Sequence, residues 1–430
     1  LKELEEKPFK LYWTNPYPVW HNQGVTTFDF EPDFSYRVKA AEEPAGGLAG
    51  ELVEPPKYLD TLNDRQREAV LLTDGPLIVL AGAGSGKTKM LTTRIAYLID
   101  HKRVAPYQIL AVTFTNKAAG EMRERVEKTL RSNTTAAVLA QPEIGTFHSV
   151  CIRILRRELE KTPFTKNFVI YDDSDQLSLI KTVFNKLNID DKAVNPKAIQ
   201  GGINRLKCDA KEPHDLDPAP HNIFERHLKR VYEQYQKDLF ANNALDFGEI
   251  LCMTYRLFRD HLDLREKYQK RYRYIHVDEY QDTNRAQYLL LSMLANPKFG
   301  GHKNICVVGD EDQSIYKWRG ADIRNILEFE EDYPGCQVVK LEQNYRSTET
   351  IIQAAGHVIR NNRERKDKTL WTENEKGNPI IRAQLADERA EAELVVSEIK
   401  RLAQNDERAF GDFSIFYRTN AQSRQFEDVF

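Results

Sequence analysis

The chain has 430 residues and a mass of 49.8 kDa, enough for about three domains at ~150 residues each. Lys and Arg total 62 against 65 Asp and Glu, a net charge of −3, with 41% of residues hydrophobic and 30% charged. That balance excludes collagen-like, wholly disordered and disulfide-scaffold chains.

The five cysteines (Cys151, Cys208, Cys252, Cys306, Cys336) lie far apart with no C-x-x-C pair. They argue against a disulfide framework or a zinc site and for a reducing, cytoplasmic setting. No apolar run approaches the ~18 residues of a membrane span, so no membrane partner is expected. The opening LKELEEKPFK has no apolar core of a secretory signal. The chain does not start with Met and stops after RTNAQSRQFEDVF, so it is expected to be a piece of a longer protein.

Residues 1–57 carry nine aromatics, several prolines and ten acids against six bases, and end in the small polar stretch AAEEPAGGLAGELVEPPK. An extension and linker, with an aromatic strip packing on the main domain, is the expected role. The remaining residues then carry 56 bases against 55 acids, a net of +1. Any nucleic-acid surface must therefore be a local stripe on a near-neutral body.

From Tyr58 the rhythm changes. The runs LIVLA (77–81), ILAVTF (109–114), YIHVD (274–278) and NICVVG (304–309) are short, apolar and β-rich, and helical periodicity separates them. Such a pattern predicts an α/β fold with a parallel sheet covered on both faces. Residues 151–245 are polar, basic and helical in period, as in IFERHLKRVYEQYQKDLF, and read as a helical insertion. After Pro334 the rhythm resumes with CQVVKL (336–341), PIIRAQL (379–385) and FSIFYR (413–418), predicting part of a second α/β domain over 335–430.

The run Ala81, Gly82, Ala83, Gly84, Ser85, Gly86, Lys87, Thr88 joins the strand LIVL to the helical run MLTTRIAYLI. A strand, glycine-rich turn and helix in that order make an anion nest at a positive helix end. Lys87 is placed to reach the β- and γ-phosphates, and the Thr88 hydroxyl to coordinate Mg²⁺. The strict motif has Gly first, whereas here Ala81 stands there. A carboxylate pair, Asp278 and Glu279, follows the run YIHV. In a parallel sheet that is the ligand-binding edge. Asp278 suits Mg²⁺, and Glu279 suits polarising a water for in-line attack. An NTPase using Mg²⁺ is the expectation.

Further stretches occur in a fixed order: LNDRQREAV (62–70), VTFTNKAAGEM (112–122), GTFHS (145–149), DFGEI (246–250), VDEYQDTN (277–284), VVGDEDQSIYKWRGAD (307–322), LEQNYRS (341–347) and FYRTNAQSR (416–424). Together they resemble superfamily 1 DNA helicases of the UvrD, Rep and PcrA type over about residues 60 to 430. The resemblance implies a RecA-like P-loop NTPase domain over 58–150 plus 246–334, the helical insertion at 151–245, and part of a second RecA-like domain. It implies that Gln66 reads adenine, Gln313 senses the γ-phosphate, Tyr345 stacks on the base and Arg346 is an arginine finger. Tyr345 and Arg346 would belong to the second domain, so that nucleotide sits between the two. Lys89 stands where the family usually carries Arg, and the family's later motifs are absent.

Strand binding without sequence preference needs aromatic faces for bases and cations for phosphates. Tyr316, Trp318 and Arg319 form an aromatic–basic alternation, and Phe114 follows a strand. By resemblance these line the path of single-stranded DNA, with Asn116 and His148 at the backbone. The expected whole is an ATP-dependent DNA helicase and translocase, 3′→5′ by resemblance, acting on single strands and single-strand/duplex junctions. Repair or replication proteins are its expected partners, and it would be nucleoid-associated. The alternatives are the motor of a helicase–nuclease, or a fragment that binds ATP and DNA without full activity.

Overall fold

A computed structural model describes residues 56–133, 141–192, 194–219, 221–362, 365–366, 368–405 and 407–430. The expected N-terminal extension lies outside the described residues but for its last two positions.

Six strands build the main sheet: β1 (Leu77–Ala81), β2 (Ile109–Thr113), β3 (Glu143–Thr146), β6 (Tyr274–Val277), β7 (Ile305–Gly309) and β8 (Gln337–Leu341). Their order across the sheet is β3-β2-β6-β7-β1-β8, and every pairing is parallel. The central runs are buried along their whole length because both faces are covered. The period of two sorts them. Ile78 and Leu80 enter one core with Leu110, Val112, Val277 and Val307. Leu77, Val79 and Ala81 enter the other with Ala111, Cys306 and Val308.

The helices are α1 (Asp64–Leu71), α2 (Lys87–Asp100), α3 (Asn116–Asn133), α4 (Phe147–Arg157), α5 (Asp173–Leu187), α6 (Pro196–Cys208), α7 (Ile223–Ala241), α8 (Phe247–Asp260), α9 (Leu262–Arg271), α10 (Arg285–Ala295), α11 (Arg324–Leu327), α12 (Phe329–Asp332), α13 (Glu349–Ile359), α14 (Glu388–Asn405) and α15 (Ser423–Val429). Residues of α1, α2 and α3 line one face of the sheet, and residues of α4, α8, α9 and α10 line the other. The buried Arg94 of α2 donates to the carbonyls of Ala69 at 2.6 Å and Thr73 at 3.2 Å, tying the helix after the glycine-rich turn to the end of α1.

The helical insertion has its own core, formed by α5, α6 and α7 around Ile180, Val183, Ile199, Val231 and Tyr235. A two-stranded parallel ladder, β4 (Val169–Tyr171) with β5 (Ala244–Asp246), closes its base. It starts later than the polar composition implies. Cys151, Ile154 and Leu155 of α4 belong to the main core, because the apolar stripe of that helix faces the sheet.

Two features mark the region after Pro334. The run CQVVKL, read from the sequence as the opening of the second domain, supplies a strand that pairs with the first sheet: Leu77–Ala81 runs parallel to Gln337–Leu341, making β8 its edge strand. One compact unit accordingly runs through Ser347 and includes Ala355–Glu373; the second comprises Thr348–Ala354 and Asn374–Phe430. Within the second unit, α14 and α15 bury Ala392, Val396, Ile399 and Ser423. The runs 379–385 and 413–418 form no β-ladder among the described residues. Ile381 is 84% and Phe416 95% exposed. A β-prone run becomes a strand only when a neighbour in register takes its N–H and C=O groups.

Candidate nucleotide site and strand-binding edge

All six strands of the main sheet run in one direction, so their carboxyl ends share one edge, the edge at which open α/β sheets bind ligands. The candidate residues emerge there: the glycine-rich turn after β1, Phe114 after β2, His148 after β3, Asp278 and Glu279 after β6, Gln313 after β7, and Tyr345 and Arg346 after β8.

The turn after β1 requires glycine at two positions. Gly84 has φ +69°, and a Cβ there would lie 2.6 Å from Asn344 Nδ2 and 2.8 Å from Arg346 Cβ. Gly86 has φ +80° and forms the N-cap of α2; a Cβ would meet Gln66 Nε2 at 2.6 Å. The loop between them is packed from beneath. Gln66, buried, donates from Nε2 to Ser85 O at 2.8 Å and accepts from Asn63 N at 3.2 Å. Both ends of the Gln66 amide are thus engaged by the protein itself, Nε2 by the turn and Oε1 by the capping box of α1.

Lys87 Nζ pairs with Glu279 Oε2 at 3.1 Å, and Gln281 Nε2 donates to the same oxygen at 2.8 Å. Glu279 sits at φ +51°, a left-handed conformation that costs a non-glycine residue free energy. Asp278 is buried and accepts from Glu279 N at 3.0 Å through Oδ1. Burial, reinforced by Glu279 and opposed by Lys87, pushes its carboxyl up to about 6. Asp282 nearby is likewise pushed up to about 6, by burial and then by Glu279. Two carboxyls held that high, with Lys87 the cation acting on both, are suited to a further cation; Asp278 after β6 and Thr88 at the start of α2 could supply oxygen ligands to it.

Tyr345 and Arg346 stand on the loop after β8, in the same compact unit as Lys87, because β8 pairs beside β1 and delivers its loop to the glycine-rich turn. Asn344, buried, fastens the two loops: Nδ2 donates to Ala83 O at 2.6 Å, while Oδ1 accepts from Arg346 N at 2.8 Å and Ser347 N at 2.7 Å. Tyr345 N donates to Gly84 O at 2.9 Å, and the Tyr345 hydroxyl accepts from Asn63 Nδ2 at 2.6 Å. The Tyr345 ring is half exposed. Gln313 donates from Nε2 to Asp310 Oδ2.

An aromatic run continues from the loop after β7. Phe114 stacks on Tyr316 with centroids 5.4 Å apart and planes at 24°, and Tyr316 neighbours Trp318 at 6.5 Å. The Arg319 guanidinium lies 4.6 Å from the Trp318 ring centroid and 5.8 Å from that of Tyr316. Trp318 is 67% exposed, far more than a core tryptophan. Asn116 begins α3 on the surface. His148 is half-buried, edge-on to Phe247 at 5.6 Å, and burial pushes its pKa down to about 4 despite a backbone contact with Phe247.

Sequence reasoning missed Gln281, Asn344 and the exposed Phe247. All three stand inside quoted motifs, but neither an amide nor a lone phenyl ring carries the signature of a site, and only the fold reveals what they join.

A glycine-rich anion turn after β1, a lysine paired to the acid after β6 and an all-parallel sheet define a P-loop α/β protein. Family models resolve the class further: residues 62–334 match the UvrD/REP helicase N-terminal domain and residues 339–430 the UvrD-like helicase C-terminal domain. The chain belongs to the UvrD/Rep helicase family. It is 50% identical over 372 residues, 86% of this chain, to the ATP-dependent DNA helicase PcrA of Staphylococcus aureus (strain NCTC 8325 / PS 47). It is 49% identical over 373 residues, 87% of this chain, to the ATP-dependent DNA helicase PcrA of Bacillus subtilis (strain 168). The match covers 50% and 49% of those relatives, so the chain spans about half the length of the curated relatives it matches. No helix among the described residues is long and apolar enough to cross a membrane.

Proposed function

We propose that this chain is the motor portion of an ATP-dependent DNA helicase and translocase, moving 3′→5′ on single-stranded DNA and unwinding duplex at junctions. The observation that carries the reading is the tie between three strand ends. Lys87 after β1 is paired to Glu279 after β6, and Asn344 after β8 holds the Arg346 loop against the glycine-rich turn. Phosphoryl transfer needs a cationic cradle, a carboxylate to orient the attacking water and a second cation for the developing charge. Lys87, Glu279 and Arg346 have the chemistry for those three tasks.

In this reading the amides of 81–88 and Lys87 take the β- and γ-phosphates, displacing Lys87 from Glu279. The freed Glu279 carboxylate orients a water for in-line attack. Gln313 senses the γ-phosphate, Arg346 neutralises charge on the transferring group, Tyr345 meets the adenine, and Gln66 meets it on giving up its bonds to Ser85 O and Asn63 N. Thr88 and Asp278 would hold Mg²⁺, which when bound supplies charge neutralisation between the phosphates. Phe114, Tyr316 and Trp318 present faces to bases, and Asn116, His148 and Arg319 meet the backbone. Single-stranded DNA and its junctions with duplex are the partners, with recruitment by repair or replication proteins in a cytoplasmic, nucleoid-associated setting. As domains, we assign 58–150 with 246–334 and β8 to the first motor domain, the helical cluster after α4 to an insertion, and the second unit to the second motor domain.

The test is turnover of ATP by the intact protein with and without an oligonucleotide. Lys87→Ala should abolish DNA-stimulated hydrolysis; retained turnover would reject the phosphate-site assignment.

A further inference from the structure

The loop after β7 poses an electrostatic problem. Asp310, Glu311 and Asp312 are consecutive carboxylates, and the first two are buried. Leaving such charges unpaired away from water costs several kcal/mol each. The cation that answers them stands outside every motif quoted above. Lys368, 57 residues beyond Glu311 and 5% exposed, places Nζ 2.8 Å from Asp310 Oδ1, 2.7 Å from Glu311 Oε1 and 2.8 Å from Asp312 Oδ2. An ammonium has three N–H donors, and each carboxylate takes one. Arg365 adds a second cation 3.0 Å from Asp312, and Lys366 N donates to Glu311 Oε1 at 3.2 Å.

Asp310 is then the branching point. Its Oδ1 is taken by Lys368 and its Oδ2 accepts from Gln313 Nε2. Its backbone N–H donates to Gln281 Oε1 at 3.0 Å, and Gln281 Nε2 donates to Glu279 Oε2 at 2.8 Å. A carboxylate pinned at one oxygen has a fixed plane and offers the other oxygen in one direction. Only one residue therefore separates Lys368 from Gln313. The same loop continues into Tyr316, Trp318 and Arg319.

We propose that Lys368 is a positioning residue for ATP hydrolysis: by clamping Asp310, Glu311 and Asp312 it fixes the carboxylate that orients Gln313 toward the γ-phosphate. The proposal rests on the ATPase reading above. Removing the ammonium leaves three like charges on one loop and frees Asp310 to turn. A misplacement of about 1 Å in a positioned group costs up to ~100-fold in rate.

The experiment is steady-state ATPase of the intact protein on an oligonucleotide over a range of ATP concentrations, with equilibrium binding of a fluorescent ATP analogue. The variants are Lys368→Met, Gln313→Ala, their combination, and Lys87→Ala as the control. Lys368→Met is expected to lower kcat by roughly 10- to 100-fold while KM for ATP and analogue affinity stay within about threefold. The combined variant should be no slower than the slower single, since both act through one group. A kcat within twofold of the parent, or losses that multiply in the combination, overturns the proposal. Turnover retained by Lys87→Ala would overturn the ATPase reading and this inference with it. Abolition by Lys87→Ala beside parental kcat in Lys368→Met would overturn this inference alone. Should Lys368→Met fail to fold, Lys368→Met/Glu311→Gln/Asp312→Asn removes two carboxylates with the ammonium and retains Asp310. The same fall in kcat at unchanged analogue affinity supports the role, and parental kcat overturns it.

Discussion

Lys87 Nζ and Glu279 Oε2 lie 3.1 Å apart, joining the residue at the start of α2 to the acid after β6. The pair occupies both groups that the proposed reaction needs, so nucleotide must compete with Glu279 for the ammonium. Glu279→Gln keeps the shape and removes that competition. Hydrolysis should fall by at least ~100-fold, while ATP affinity should hold or tighten by up to ~10-fold. Single-turnover hydrolysis and equilibrium titration check the two halves separately, and weakened binding would contradict the competition.

Asp278 links the site to stability. Burial first, and Glu279 second, hold its native carboxyl near 6, above the ordinary value of 3.8. The native state therefore binds a proton more tightly than the unfolded chain, and between pH ~4 and ~6 stability falls as pH rises. The penalty is fully present above that window and absent below it. Asp278→Asn should consequently raise Tm at pH 8, by roughly 2–4 °C per kcal/mol recovered, and leave it unchanged near pH 4. It should also abolish turnover. Scanning calorimetry at the two pH values tests the sign; an equal gain at both would place the cause elsewhere.

Asn344 is a joint rather than a ligand. Truncation to Ala removes the amide that bonds the Ala83 carbonyl and the N–H groups of Arg346 and Ser347 at 2.6–2.8 Å in the native fold. Because these groups are only partly buried, each lost bond costs less than the ~1–3 kcal/mol of a fully buried unpaired group. Asn344→Ala should lower kcat/KM for ATP by at least ~10-fold, although Lys87 and Arg346 are untouched. Parental kcat/KM in a folded variant would show that the two loops need no joint.

The aromatic run separates stacking from charge. Trp318→Ala should weaken single-strand binding by the ~1–3 kcal/mol of one base stack, roughly 5- to 150-fold, with the salt dependence unaltered. Arg319→Ala should reduce the slope of log K against log salt by about 0.7, as loss of one phosphate contact predicts. Fluorescence anisotropy across a salt series distinguishes them. Identical behaviour of the two variants would argue against the division of labour.

The sites legible in the sequence are those whose chemistry is contiguous. The turn 81–88 carries its glycines, lysine and threonine in eight successive residues, and YIHVDE announces an acid pair at a strand end. Periodicity likewise revealed β1, β2, β6 and β7, because a doubly covered strand must be apolar throughout. The run 336–341 was equally visible as a strand but not as a member of this sheet, since an apolar run does not name its neighbour. That pairing brings the loop of Arg346 against the glycine-rich turn, through Asn344 and Ala83.

The sequence by itself determined which groups are available: a glycine-rich turn with Lys87 and Thr88, an acid pair, an aromatic–basic loop and the family that carries them in this order. Tertiary structure alone decided who holds whom. Gln66 under the turn, Gln281 between Glu279 and Asp310, Asn344 between two loops and Lys368 on three carboxylates are each joined to partners from 2 to 261 residues away. The physical reason is that covalent order sets which groups are available, whereas a hydrogen bond or ion pair forms only where packing brings two of them within about 3 Å.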